Sequence, residues 1–281
     1  MKRLLLILFA LAVAFSCSQE ETPVKTSLVL EGWIDSGGHP MILLSETLPA
    51  GERLIRRDEV IGNIAKWARV SISDGDKEVL LTGTLDTRYF PPYVYTSEKM
   101  TGEPGKTYTV DVKYKDYHAT ARTTIPEPVP LDTIYSDRLI DTLYRVVCGF
   151  TDPPEKGNYY KFFTMTEGED SRYQPSVLAM ASDEVFEGYT EVFLWSTQRL
   201  MKLLYKPDMV EGKTVHIKFC TMDKGTFNFW ENYEVTLATN ANAMYYFEAD
   251  MSANVHGALG YFAGYGVSEY TYTIEPSEDK P

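Results

Sequence analysis

Proline occupies alternate positions, 126, 128 and 130, near the middle of the chain. Each proline fixes φ and removes a backbone donor, so this stretch cannot run inside a sheet ladder. Its expected form is a stiff, extended connector. Residues 127–132 are therefore read as a Pro-rich linker, with one domain before it and a longer one after it.

The stretch before the linker reads as short strands separated by turns. Ser27–Ile34 is a first strand candidate, and Val70–Ser73 with Lys77–Leu81 forms a hairpin about Asp74-Gly75-Asp76. Glu103-Pro104-Gly105-Lys106 marks a turn into Thr107–Tyr114, and Tyr117–Ile125 returns antiparallel. This pattern predicts an Ig-like β-sandwich over residues 27–126. After the linker, 133–276 carries strand candidates at Leu143–Phe150, Asn158–Thr166, Tyr189–Ser196, Thr214–Thr221 and Val267–Ile274. It also carries one amphipathic helix near 226–239, where Phe227, Trp230, Tyr233, Glu234 and Leu237 recur at helical spacing. Gly257, Gly260, Gly264 and Gly266 read as a glycine-rich loop before the last strand, and 277–281 as a tail. The expected fold class is mostly β: the sandwich first, then a larger β-rich domain with one helix.

The amino terminus sets the compartment. Lys2 and Arg3 precede Leu4–Phe15, a charge-free apolar run too short to span a bilayer, which reads as a signal peptide over 1–16. The run ends in Ala14-Phe15-Ser16-Cys17, a lipobox-like pattern in which Cys17 becomes the lipidated first mature residue, although Phe15 departs from the common form. An ordinary signal peptide with a chance cysteine, or a buried strand, are the alternatives. Ser18, Gln19, Glu20 and Glu21 follow as a surface-export signal, or as part of a polar spacer over 18–26.

The net charge is −13 and falls to −15 once Lys2 and Arg3 are removed. Such acidity repels phosphate backbones, so nucleic acid is not expected as a partner. Cys148 and Cys220 lie in strand-like runs in an oxidising compartment, which allows either a disulfide or two separate buried thiols.

Recognisable chemistry is sparse. The sequence has no G-x-S-x-G elbow, H-E-x-x-H pair or P-loop. Asp74 and Asp76 fit a hairpin turn, and Glu167, Glu169 and Asp170 a solvated loop or a cation site. His39, His118, His216 and His256 are scattered. No catalytic residue, metal or cofactor is expected on these grounds.

Several segments resemble a family of Bacteroidetes lipoproteins known as domain of unknown function 4249. They are Leu30-Glu31-Gly32-Trp33-Ile34, Ala68–Asp74, Gly105–Val110, Asn158–Phe162, Ser182–Gly188 and above all Asn254–Phe262. The resemblance implies a two-part β-rich lipoprotein of the outer membrane, commonly encoded beside a TonB-dependent transporter, with no known catalytic residues. In its closing block Asn254, Gly257, Gly260, Tyr261 and Phe262 are either structural or a partner-contact loop. The expected function is a surface-exposed, non-catalytic accessory of nutrient import, binding the transporter, an unknown nutrient ligand, or both. An envelope structural or adhesive protein is the alternative, and a hydrolase a third.

Overall fold

The computed structural model describes residues 26–47, 57–140, 143–194, 209–240 and 254–275. The signal peptide, Cys17, the Ser18–Glu21 signal and the 277–281 tail lie outside the described residues.

The described chain is mostly β, as expected. Before the prolines come β1 (Leu28–Asp35), β2 (Met41–Glu46), the short helix α1 (Arg57–Gly62), β3 (Arg69–Ser73), β4 (Glu78–Leu80), β5 (Thr82–Leu85), β6 (Tyr93–Thr96), β7 (Thr107–Tyr114) and β8 (Tyr117–Thr124). After them come β9 (Thr133–Ile140), β10 (Leu143–Thr151), β11 (Tyr159–Thr166), β12 (Gln174–Ser182), β13 (Tyr189–Leu194), β14 (Thr214–Met222), α2 (Lys224–Asn240), β15 (Val255–His256) and β16 (Leu259–Thr273).

One eight-stranded sheet, in the order β12-β11-β14-β16-β1-β2-β6-β5, runs through the whole molecule. A five-stranded sheet, β15-β8-β7-β3-β4, covers one half of one face, and a three-stranded sheet, β13-β10-β9, covers the other half. Alternation sets the two interiors. In β1, Leu28, Leu30 and Ile34 point toward Val70, Ile72, Tyr108, Val110 and Val112 of the five-stranded sheet. In β11 and β14, Tyr160, Phe162, Ile217 and Phe219 point toward Val146, Cys148 and Phe150 of the three-stranded sheet.

The expected boundary at 127–132 does not divide the sheets. The fifteen-residue β16 pairs in parallel with β1 from Leu259 to Tyr265, then antiparallel with β14 from Gly266 to Thr273. β15 likewise adds Val255 and His256 to the edge of β8. Gly260, Gly264 and Gly266 thus lie in the first half of a strand and not in a loop, and Gly257 alone sits in the bend between β15 and β16. The strand glycines sit where other backbone passes close: a Cβ on Gly264 would lie 2.8 Å from the Thr124 carbonyl oxygen, and one on Gly266 would collide with that of Pro126. The proline segment is correspondingly packed and not free. Thr221 Oγ1 donates to the Glu127 carbonyl at 2.8 Å, Ser268 Oγ to that of Val129 at 2.9 Å, and the Leu131 N–H to the Tyr270 hydroxyl at 2.7 Å.

On the opposite face of the large sheet lies α2. Asp223 caps it, accepting the Thr226 N–H at 2.7 Å. Phe229 and Trp230 are buried against Tyr159, Phe163, Cys220, Met222, Tyr261, Ala263 and Tyr265, with Phe227 and Tyr233 half-buried beside them. The helical stripe read from sequence omitted Phe229, whose ring lies 4.1 Å from that of Tyr261. The side chain of Leu237 lies outside the described residues.

Candidate functional site

β12 is one of the two edge strands of the large sheet among the described residues, and it is not regular. Its register with β11 passes from Lys161↔Met180 to Phe163↔Pro175, so residues 176–179 bulge out opposite a single β11 residue. Lys161 explains the bulge. Its charged side chain is fully buried in β11, and Nζ donates to the Ser176 carbonyl at 2.6 Å and to Glu234 Oε1 of α2 at 2.5 Å. The same carboxylate oxygen accepts the Leu178 N–H at 3.1 Å. Burial pushes the Lys161 ammonium below the usual lysine range, and the Glu234 carboxylate opposes that shift. Leu178 takes a left-handed φ of 58° and stands 72 % exposed. A bulky residue in that conformation is strained, and here the buried ion pair holds it.

Leu178 opens a groove between β12 and α2. One part, of about 500 Å³, is lined by Leu178, Met180, Phe227, Glu231, Glu234 and Val235. It continues past Tyr159 and Glu184 into a shallow cleft of about 640 Å³ beside Lys156, Asp183 and Glu187. Val185 is 84 % exposed on the rim. The groove therefore joins exposed aliphatic side chains to an acidic border, with Lys224 bonded to Glu184 at 2.7 Å and Lys156 to Glu187 at 2.6 Å. It is suited to hold an apolar segment with polar flanks.

A second buried ion pair lies on the same sheet face. Lys218 Nζ sits 2.5 Å from Asp35 Oδ2, linking β14 to β1. Burial opposes the Lys218 charge, but the Asp35 carboxylate, with Glu269 beyond, outweighs it and holds the ammonium above the usual lysine range. Such a lysine stays protonated and serves as a structural cation, not a nucleophile.

The closing sequence block is core. Asn254 accepts the Phe262 N–H at 3.0 Å and donates to the carbonyls of Phe262 and Arg122 at 2.7 and 2.8 Å, so it pins β16 to β8. Gly257 and Gly260 hold φ values of +81° and +110° against the carbonyls of His118 and Leu30. Phe262 and Tyr261 are buried on opposite faces of the sheet. Neither aromatic is presented to a partner.

Cys148 and Cys220 are free and buried. Cys148 faces the interior under the three-stranded sheet, whereas Cys220, one residue past the inward Phe219, faces α2. The large sheet separates them, which rules out the disulfide that the sequence allowed. Burial pushes the Cys148 thiol up to about 12 and raises that of Cys220 as well. Both should label with a maleimide only after denaturation, and reductant should leave the melting temperature unchanged; rapid labelling of the native protein would contradict this placement.

The remaining polar candidates have local partners. Asp74 Oδ1 accepts the Asp76 and Lys77 N–H groups in its turn, Glu169 pairs with Lys213 at 2.9 Å, and Asp170 accepts the Thr166 N–H. His39 bonds the Met100 carbonyl, His118 bonds Asp111 and His216 bonds Thr271. No metal-holding cluster occurs among the described residues.

A family model described as "Domain of unknown function (DUF4249)" matches residues 15–271. No curated protein matches the chain. Among solved structures, a two-domain fibronectin type-III segment of chicken tenascin is 9 % identical, covering 70 % of this chain and 91 % of its own at a TM-score of 0.22. A cytokine receptor complex chain is 8 % identical, covering 72 % and 86 % at a TM-score of 0.23.

Proposed function

The chain belongs to the DUF4249 family, and from that premise we propose that it is a lipid-anchored, surface-exposed, non-catalytic binding component of a TonB-dependent nutrient-import system. The lipobox-like Cys17 and the acidic pair Glu20-Glu21 support the anchor and its sidedness. The edge groove supports the binding role: Leu178 is displayed to solvent by a strained bulge that a buried ion pair maintains, and Val185 stands exposed on the adjoining rim. A large exposed aliphatic side chain held out by internal machinery has a use in docking and none in packing. Tethering beside a transporter raises the effective concentration, so a modest contact suffices.

The test is co-purification of the outer-membrane partner with the full-length protein. Leu178→Asp combined with Val185→Asp is expected to remove most of the co-purifying β-barrel while leaving the melting temperature unchanged, because both side chains are solvent-facing. Undiminished partner recovery would count against the groove.

A further inference from the structure

The chain enters its folded body at Thr26, nine residues after Cys17. The Tyr117 hydroxyl, in the β7–β8 turn, donates to the Thr26 carbonyl and shares a second bond with its Oγ1, each at 2.9 Å. The same end of the sandwich gathers other segments. Leu28 pairs with Glu46, and the Glu46 N–H donates to the Asn63 carbonyl at 2.8 Å. Arg69, opening β3, pairs with Lys113, one residue before the turn at 114–117. Trp67 therefore projects from the end at which the chain arrives.

Trp67 is 90 % exposed and holds a φ of 68°. Its flanks are fixed: the Tyr95 hydroxyl donates to the Ala65 carbonyl at 2.6 Å and accepts the Ala68 N–H at 2.9 Å. The loop is thus held in a conformation unfavourable for a bulky residue, and that conformation turns an indole into solvent. Ile61 of α1 is also exposed. Lys66, Arg69, Lys113 and Lys115 are exposed around it, and Glu46, Asp58, Glu59 and Asp116 balance them. Among the described residues this end is close to neutral, in a chain of net charge −13, so anionic lipid repels it less than it repels the acidic remainder.

Indole groups partition to the headgroup region of bilayers, where the ring is apolar and the N–H finds a partner. A nine-residue tether reaches about 30 Å at most. The body is thus confined near the lipid surface, and along the chain the end bearing Thr26 is the nearest to it. We propose that this end docks on the bilayer that carries the anchor, with Trp67 seated among the headgroups and Lys66, Arg69 and Lys113 beside anionic lipid. The inference rests on the anchored reading and adds the orientation: docking there fixes which face of the body meets the lipid.

Lipidated full-length protein would be reconstituted in vesicles of phosphatidylethanolamine and phosphatidylglycerol, with and without brominated acyl chains. Flotation reads the anchor, and tryptophan quenching reads the docking. Trp67→Asn, which tolerates the left-handed backbone, is expected to float and melt like the parent but to lose most of the brominated-lipid quenching. A parent that does not float would overturn the anchored reading and this one with it. A floating parent that is not quenched, or is quenched equally with Trp67→Asn, would overturn the docking end alone.

Discussion

Gly260→Val is expected to abolish folding of the whole chain and not only of one lobe. Gly260 holds a φ of +110°, which a β-branched residue does not adopt, and a Cβ there would collide with the Leu30 carbonyl oxygen. The obstacle is backbone, so no rotamer change relieves it. The location multiplies the effect. Gly260 pairs with Leu30 at the start of the parallel β1–β16 ladder, and that ladder continues into the β14 pairing of the second lobe. Separating the strands would strip cover from Phe262 on one face and Tyr261 on the other. The cost should exceed about 4 kcal/mol, against a typical total stability of about 5–15 kcal/mol. Gly75→Ala is the control. Gly75 has a φ of +95° but nothing within 4 Å of a Cβ, so only the backbone penalty of about 1 kcal/mol should remain. Soluble yield and urea midpoints would measure both. A Gly260→Val protein that melts like the parent would show that the β1–β16 crossing does not hold the lobes together.

The same crossing marks where the sequence stopped being legible. Strand-like runs marked β1, β3, β4, β7, β8, β10, β11, β13 and β14; in β7 and β8 one packed face leaves an alternating trace, whereas β11 is buried along almost its whole length. The first half of β16 left no such run, because glycine erases the side-chain signal where two backbones need to approach. The prolines lie between β8 and β9, outside the ladders, and nothing local in them shows that β16 returns from residue 259 to rejoin β1. Strands β2, β5, β6, β9 and β12 are short, edge-bound or irregular, so they leave little periodic trace although each pairs with a sequence neighbour. The groove was hidden for a related reason. Leu178 reads as one more apolar residue of a strand, and only the bulge turns it outward. One signal was available: a lone lysine inside Tyr159-Tyr160-Lys161-Phe162-Phe163 demands a buried partner. That the partner is Glu234, on a helix read as merely amphipathic, follows only from the fold.

Glu234→Ala is expected to cost about 3–5 kcal/mol, the range for removing one member of a buried ion pair. The side chain of Lys161 is 0 % exposed and that of Glu234 12 %. Without the carboxylate, the ammonium keeps the Ser176 carbonyl and the Trp230 ring, 5.7 Å away, and the Leu178 N–H loses its acceptor. Burial already depresses the Lys161 pKa, and loss of Glu234 depresses it further. The unfolded lysine then holds a proton that the folded one lacks at pH values between the folded and the ordinary lysine pKa. Across that window stability rises with pH, so the deficit of the variant should shrink as the solution becomes alkaline. Lys161→Met should cost less, because it removes the buried charge at similar volume and leaves Glu234 bonded to Leu178. The double variant Lys161→Met with Glu234→Leu should approach the parent in melting temperature, since buried pairs are often replaceable by apolar packing. It should nonetheless lose partner retention, because the acceptor that holds the Leu178 bulge is gone. Stability recovered without binding would separate the pair's role in shaping the groove from its role in folding. A Glu234→Ala protein within about 1 kcal/mol of the parent at neutral pH would remove the ion pair as the support of that strained edge.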